Sequence, residues 1–291
     1  MRIYHILFVL ATVLLLGAEG CPQGTGTFST GAGKYGIDFS PVSGIGYVSA
    51  GKTIYIDDIF NAKIHLENYD VQAHAGKLCM RDNIADAYGG ISDECQLFQL
   101  KGAETIMSGG REQLQSSKTD ILFPVEGEYS YTGIPIDQPA KIFVELQYVQ
   151  TAKATGTINV PLPESEKIIL EQTPAPITVG VEKTIRKVSS GYQIDLAITL
   201  TKSMSDAKIY SPEFSKENSL IISFNREVLD FKCSPDINQG ILEFANTKFI
   251  RCSALATQET VSYPLIISLD YGVKITRSYD FNIKLLKEGM K

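Results

Sequence analysis

The fold follows from one stretch, Ile194-Asp195-Leu196-Ala197-Ile198-Thr199-Leu200-Thr201, in which apolar side chains alternate with mostly polar ones. Successive side chains of an extended strand point to opposite faces of a sheet, so a period of two predicts a half-buried β-strand. The same alternation occurs at residues 62–67, 142–148 and 265–273. Strands with one apolar and one wet face are typical of antiparallel sheets.

Residues typical of turns separate these segments, at Gly89-Gly90, Gly109-Gly110, residues 189–191 and Pro235. No amphipathic helix of useful length lies between them, which excludes a parallel sheet built from strand-helix-strand units. We therefore expect an all-β protein in which antiparallel sheets pack face to face as β-sandwiches.

Prolines and glutamates cluster between the two halves of the chain and predict a linker at residues 162–176. The chain has 291 residues, which is long enough for two domains that each bury a core. We expect one β-sandwich domain at residues 37–161 and a second at residues 177–291.

Short similar motifs recur in both halves. Residues 146–148 and 158–160 predict a hairpin that closes the first domain, and residues 269–271 and 281–283 predict the equivalent hairpin in the second. The halves would then be diverged copies of one unit, although patterns this short also recur by chance.

The N-terminal residues 1–20 indicate export, since an apolar run at residues 6–16 ends in small residues, as in a secretory signal peptide. The run is shorter than the ~20 residues that a helix needs to cross the hydrocarbon core, although an uncleaved segment would still serve as a short anchor. The sequence before Cys21 is similar to the lipobox of lipoproteins. Lipidation of Cys21 therefore competes with simple cleavage after Gly20.

Residues 21–36 are rich in Gly, Thr and Ser and predict a flexible tether.

The five cysteines support the same interpretation. We predict disulfides between Cys79 and Cys95 and between Cys233 and Cys252, because each pair frames a polar, turn-rich segment within one half of the chain. Cys21 is then the odd cysteine, which acylation would explain. A metal site made of four cysteines would need closely spaced ligand pairs, and the sequence has none.

Composition excludes one class of partner. The chain has 27 basic and 33 acidic residues, a net charge of -6 and an isoelectric point near 5.2. A protein that binds a phosphate backbone needs clustered Lys and Arg, so we expect no nucleic-acid partner.

The sequence gives no indication of catalysis. It lacks the short motifs of serine hydrolases, zinc metalloproteases and nucleotide-binding loops. His65 and His74 lie in no triad-like or metal-like context, and His65 is expected to be solvated on the polar face of its strand. We predict no enzymatic activity and no cofactor.

The loop between Cys79 and Cys95 is the candidate contact surface, because loops at the ends of sandwiches commonly bind partners. We expect Tyr88 to be exposed at its middle. Carboxylates in a closed loop are also the kind of oxygen ligand that Ca²⁺ prefers, but their spacing does not match an EF-hand, and a solvated acidic loop is the simpler interpretation. The candidate contact residues are Asp82, Asp86, Tyr88, Asp93 and Glu94, of which Asp82, Asp86 and Asp93 are the candidate calcium ligands.

The strand pattern of residues 37–291 resembles the tandem Ig-like domains of archaeal and bacterial cell-surface proteins, including adhesion-type modules whose terminal strand pair reads apolar-x-apolar-x-Tyr. It departs from antibody-type domains because it has no Trp and because its cysteine spacings are too short for an inter-sheet bridge.

This resemblance implies a structural or adhesive role without catalytic residues. We expect a lipid-anchored protein at the outer face of the cell membrane that acts as a spacer or adhesin-like module and contacts a protein or glycan. Two alternatives stay open. One is a solute- or polysaccharide-binding lipoprotein with Tyr129 and Tyr131 lining a cleft, and the other is a subunit of a surface filament or coat, in which a strand of one copy completes the sheet of the next.

Overall fold

A computed structural model describes residues 36–43, 46–160, 165–225, 229–236, 241–257 and 261–285. The predicted signal segment, Cys21 and nearly all of the predicted tether lie outside these residues.

About two-thirds of the described chain is β-strand, and it has one short helix. The elements of the first half are β1 (Ile37–Pro41), β2 (Thr53–Tyr55), β3 (Ile59–Phe60), β4 (Ala62–Asn68), β5 (His74–Asp82), α1 (Ala85–Tyr88), β6 (Glu94–Leu100), β7 (Glu104–Ser108), β8 (Arg111–Gln115), β9 (Ser117–Phe123), β10 (Tyr129–Ser130) and β11 (Gln138–Val160).

The elements of the second half are β12 (Glu166–Ile168), β13 (Glu171–Gln172), β14 (Ile177–Val188), β15 (Gly191–Lys202), β16 (Ala207–Tyr210), β17 (Ser219–Phe224), β18 (Lys232–Ser234), β19 (Ile241–Glu243), β20 (Thr247–Ala256) and β21 (Val261–Lys284). The prediction of an all-β fold with antiparallel sheets is confirmed.

Two long strands form the centre of the molecule. β11 and β21 pair antiparallel along their whole lengths, from Gln138 opposite Ile283 to Val160 opposite Val261. At the rise of an extended strand this two-stranded ribbon is about 75 Å long. The predicted closing hairpins are wrong, because both motifs of each half lie within one uninterrupted strand and the two strands pair with each other.

The ribbon belongs to a nine-stranded sheet with the order β19-β17-β21-β11-β5-β6, to which β13 adds along β11 and β2 and β16 add along β21. A three-stranded sheet, β1-β4-β9, lies over the part that contains β5 and β6. The backbone N–H of Ile37 donates to the Tyr148 hydroxyl at 3.4 Å, and the Arg277 guanidinium lies 4.6 Å from the centre of the Phe39 ring.

A five-stranded sheet, β12-β14-β15-β20-β18, lies over the other part of the ribbon. The side chain of Gln172 in β13 binds the backbone of Val179 in β14 through both its amide nitrogen, at 2.6 Å, and its amide oxygen, at 2.8 Å. The apolar residues of the alternating strands, such as Ile194 and Leu196 in β15, face inward and join one continuous core.

Both predicted domain intervals contribute strands to the same nine-stranded sheet. β11 lies in residues 37–161 and β21 lies in residues 177–291, yet both run through the same sheet. The predicted linker, residues 162–176, contains β12, which pairs with β14, and β13, which pairs with β11. The position of a domain boundary within the chain stays a prediction.

Candidate functional site

The two cysteine pairs hold sheet edges. Cys79 of β5 lies directly opposite Cys95 of β6, with the sulfurs 2.15 Å apart, and Cys233 of β18 lies opposite Cys252 of β20, with the sulfurs 2.02 Å apart. β6 and β18 are each the last strand of their sheet. Each predicted disulfide therefore ties an edge strand to its inner neighbour and does not bridge two sheets.

The loop between the first cysteine pair is organised by the buried carboxylate of Asp82. Its Oδ1 accepts a hydrogen bond from the backbone N–H of Ile84 at 2.8 Å. Its Oδ2 accepts one from the N–H of Ile91 at 2.7 Å and one from the hydroxyl of Tyr131 at 2.6 Å. A side chain at Gly90 would collide with the Tyr131 ring, since a Cβ there would lie 2.1 Å from Cε1. Asp82 is thus a structural group at the base of the loop.

A second tyrosine fixes the end of the loop. The Tyr129 hydroxyl donates to Oε2 of Glu94 at 2.5 Å, and the backbone N–H of Val125 donates to Oε1 of the same carboxylate at 3.2 Å. Burial, together with hydrogen bonding to Asp82 and Glu94, raises the pKa of Tyr131 and Tyr129 well above the ordinary range. Both hydroxyls therefore stay protonated donors at physiological pH.

The remaining predicted contact residues do not converge. Tyr88 is half-buried and packs against the core, so the expectation of an exposed ring is wrong. Asp86 is exposed on α1, while Asp93 lines a small cleft of about 240 Å³ with Arg81 and Phe143 on the outer face of the nine-stranded sheet. Within the described residues no group of three or more His, Cys, Asp or Glu side chains is placed to hold a metal ion.

A groove that was not predicted lies beside this loop, lined by exposed apolar side chains and by polar ones such as Gln99 and Asp120. Leu97 of β6 is 86% exposed and Val125 is 65% exposed, and both line a groove of about 320 Å³ between the edges of β6 and β9 together with the half-exposed Leu122. The side-chain amide of Gln96 crosses the groove and donates to the backbone oxygen of Leu122 at 2.6 Å. One sequence signal marks this groove, since Leu97-Phe98 breaks the alternation of β6 and places an apolar side chain on the wet face.

The two histidines of the described residues, His65 and His74, pair with aspartates. His65 Nδ1 lies 2.7 Å from Oδ1 of Asp120 in a half-exposed contact, whereas His74 Nε2 lies 3.1 Å from Oδ2 of Asp70 in a buried one. The hydrogen bond from His65 lowers the pKa of Asp120. Burial alone would raise the pKa of Asp70, but hydrogen bonds from His74 and Gln150 outweigh it and lower that pKa. These contacts tie strands and loops together.

No protein-family model matches the chain, and no similar curated protein was found. In the part of the chain that the structure describes, none of the helical segments has the length and apolar character needed to span a membrane.

Proposed function

We propose that this is an exported cell-surface protein, anchored through a lipid on Cys21, that displays two Ig-like β-sandwiches as a spacer or adhesin-like module and has no catalytic activity. In this proposal the three-stranded sheet and the facing part of the ribbon form one sandwich, and the five-stranded sheet and the other part form the second. The N-terminal residues supply the membrane contact, and a protein or glycan at the cell surface is the partner.

The observation that carries the proposal is the placement of the cysteines. All four cysteines of the described residues lie in pairs at disulfide distance, and each pair joins the last strand of its sheet to the neighbouring strand. Disulfides form and persist in oxidising compartments and are rare in the cytosol. This pattern supports export, which the apolar run before Cys21 indicates independently.

The groove between β6 and β9 is the proposed partner surface. Single exposed apolar side chains are normal on a protein, but Leu97, Leu122 and Val125 line one concavity beside a free strand edge. An extended segment of another protein can add to such an edge through backbone hydrogen bonds and place alternate side chains in the groove.

The alternative with a cleft lined by Tyr129 and Tyr131 is less well supported. The side chain of Tyr131 is fully buried and its hydroxyl is bound to Asp82, so it presents no surface to a ligand. A filament subunit is still compatible with the free edge of β6, because a strand of a second copy would be one form of the added segment.

The test of export and anchoring is the intact mass of the chain purified from membranes, with and without reduction before thiol alkylation. We expect a chain that begins at Cys21 and carries acyl mass, with four cysteines that are alkylated only after reduction. A chain of full length with five alkylatable thiols would refute the proposal. A Cys21→Ser variant, which keeps the small polar residue but removes the thiol, is expected to leave the membrane fraction.

The partner surface is tested separately, on cells that display the full chain. Leu97→Lys places a charge in the groove, and Met107→Lys is the matched control, since Met107 is 69% exposed on the β7-β8 hairpin and does not line the groove. Loss of cell-to-cell or cell-to-matrix adhesion only with Leu97→Lys supports the groove. Equal adhesion by both variants and the parent chain would refute it.

A further inference from the structure

The outer face of the five-stranded sheet carries a surface that the function proposed above does not use. The side chains that point outward from β14, β15 and β20 lie side by side in rows set by the strand register. One row is Gly180, Thr199 and Phe249, and the next is Glu182, Ala197 and Arg251. Short side chains, Thr199 and Ala197, occupy the middle strand of these two rows, and the long side chains of Phe249 and Arg251 stand beside them on β20.

This arrangement makes a trough along the sheet. A groove of about 680 Å³ has Gly180, Ala197 and Thr199 in its floor and Ile169 in its wall. A second groove of about 560 Å³ is lined by Arg251 and Lys232 and shares Glu182 and Ala197 with the first, so the two are continuous. Five such rows, from Thr178 opposite Thr201 to Arg186 opposite Gln193, line the trough. At two residues per row they span about 27 Å, the length of several sugar units.

An exposed aromatic side chain stands at the margin of the trough. Phe249 is 70% exposed, and its register partner Thr199 is one of the floor residues. Contact of an exposed phenyl ring with water is unfavourable. The apolar face of a pyranose can stack on the ring and remove it from water, while the sugar hydroxyls bind neighbouring Thr, Arg and Asp groups.

The charge of this face is opposite to that of the chain. Its described outward side chains include four bases and two acids, whereas the whole chain has a net charge of -6. Arg186 is paired with Asp195. Lys167 lies opposite Glu182 in the strand register, and the ion pairs of this sheet among the described residues, Lys183 with Glu166 and Arg186 with Asp195, involve neither Lys232 nor Arg251. The charged outward side chains are Lys167, Arg186, Lys232, Arg251, Glu182 and Asp195.

We infer that this trough binds an acidic polysaccharide, with Phe249 stacking on a sugar ring and Arg251 and Lys232 binding carboxylate groups along the chain. The positive charge of the face selects an anionic polymer over a neutral one. A single exposed aromatic ring favours a polysaccharide over single-stranded nucleic acid, which is usually held by successive aromatic side chains that each stack a base.

The experiment is affinity electrophoresis of the purified full chain in native gels that contain polygalacturonate, a polymer of uronic acid. Parallel gels contain dextran, a neutral polysaccharide, or single-stranded DNA. We expect polygalacturonate to retard the parent chain, dextran and DNA to have little effect, and added salt to abolish the retardation because it screens the exposed charges.

Two substitutions and two matched controls locate the site. Phe249→Ala and Arg251→Ala should each raise the Kd for polygalacturonate about three- to tenfold. Met107→Ala and Arg81→Ala remove a large apolar and a basic side chain that are exposed away from the trough, on the β7-β8 hairpin and on the nine-stranded sheet, and should leave the Kd unchanged.

Three results would overturn the inference: no retardation by polygalacturonate, equal retardation by dextran or DNA, or equal loss of affinity in all four variants. Each substitution replaces an exposed side chain, so we expect all four variants to fold. Circular dichroism of each purified variant verifies this independently. The measurement uses purified protein and does not depend on export, so its failure would leave the proposed surface location standing.

Discussion

The hydroxyl of Tyr131 should contribute a measurable share of the stability of the disulfide-bounded loop. Tyr131→Phe removes only the hydroxyl, because the ring and its stacking on Phe60, with centroids 5.3 Å apart, can stay in place. Asp82 then keeps its hydrogen bond from the N–H of Ile91 but loses the one from the phenol. The substitution therefore isolates a single hydrogen bond to a buried carboxylate.

The expected magnitude follows from burial and charge. A hydrogen bond to a charged group contributes about 1.5–3 kcal/mol when it is shielded from water, and both partners here are buried. We expect Tyr131→Phe to lower the free energy of unfolding by about 2 kcal/mol. Tyr210→Phe is the matched control, because the Tyr210 hydroxyl donates to Glu217 at 3.1 Å in an exposed contact. Its loss should cost under about 0.5 kcal/mol, since water replaces the bond.

The assay is urea unfolding of the purified full chain at pH 7, followed by far-ultraviolet circular dichroism. A midpoint that falls clearly for Tyr131→Phe and hardly changes for Tyr210→Phe is the expected result. Equal losses in the two variants would refute the reasoning, because burial of the acceptor would then make no difference to the strength of the bond.

Three further predictions use the same unfolding assay. Replacing Cys79 and Cys95 together by Ala should destabilise the protein by about 3 kcal/mol, since the bridge closes a loop of 16 residues. No loss relative to the oxidised parent would contradict a bridge in the folded protein. The pKa of Glu67 would be raised by partial burial but is lowered to about 2 by hydrogen bonds from other side chains, so the stability it provides is complete above pH 4.5 and is lost as the pH falls towards 2. Glu67→Gln should therefore be less stable than the parent at pH 6 and approach it near pH 2. Lys183 is buried with its amine 2.8 Å from Glu166. Lys183→Met should therefore leave the stability unchanged or raise it, whereas Glu166→Gln should lower it because it leaves a buried cation unpaired. A Lys183→Met variant less stable than Glu166→Gln would refute this.

Much of the local structure could be predicted from the sequence. The alternation at residues 194–201 identifies β15 and its buried face, because side-chain direction in a strand depends only on residue parity. The cysteine pairs could be predicted because each lies within one hairpin-like segment. At Lys183 the same reasoning finds a charged residue among the inward positions of β14, and only the structure shows that Glu166 neutralises it.

Strand partners could not be predicted in the same way. Alternation in β11 and β21 indicates which side chains are buried but not which strand lies alongside, so one continuous ribbon was interpreted as two separate hairpins. The role of Asp82 was missed for a similar reason. A carboxylate beside a turn is usually solvated, and its partner Tyr131 lies 49 residues away in sequence. The break in alternation at Leu97-Phe98 indicates an exposed apolar side chain, but the groove itself depends on the approach of β6 to β9, which no local pattern indicates.

The ribbon has a consequence for the order in which the chain can fold. The first part of β11 is synthesised more than one hundred residues before residues 272–283 of β21, which are its neighbours in the finished sheet. Until they arrive, one edge of β11 has unpaired N–H and C=O groups, a hazard for aggregation. The N-terminal half therefore cannot complete its sheet while the C-terminal half is still being synthesised. Folding of the molecule is completed only after β21, its last long strand, has been made.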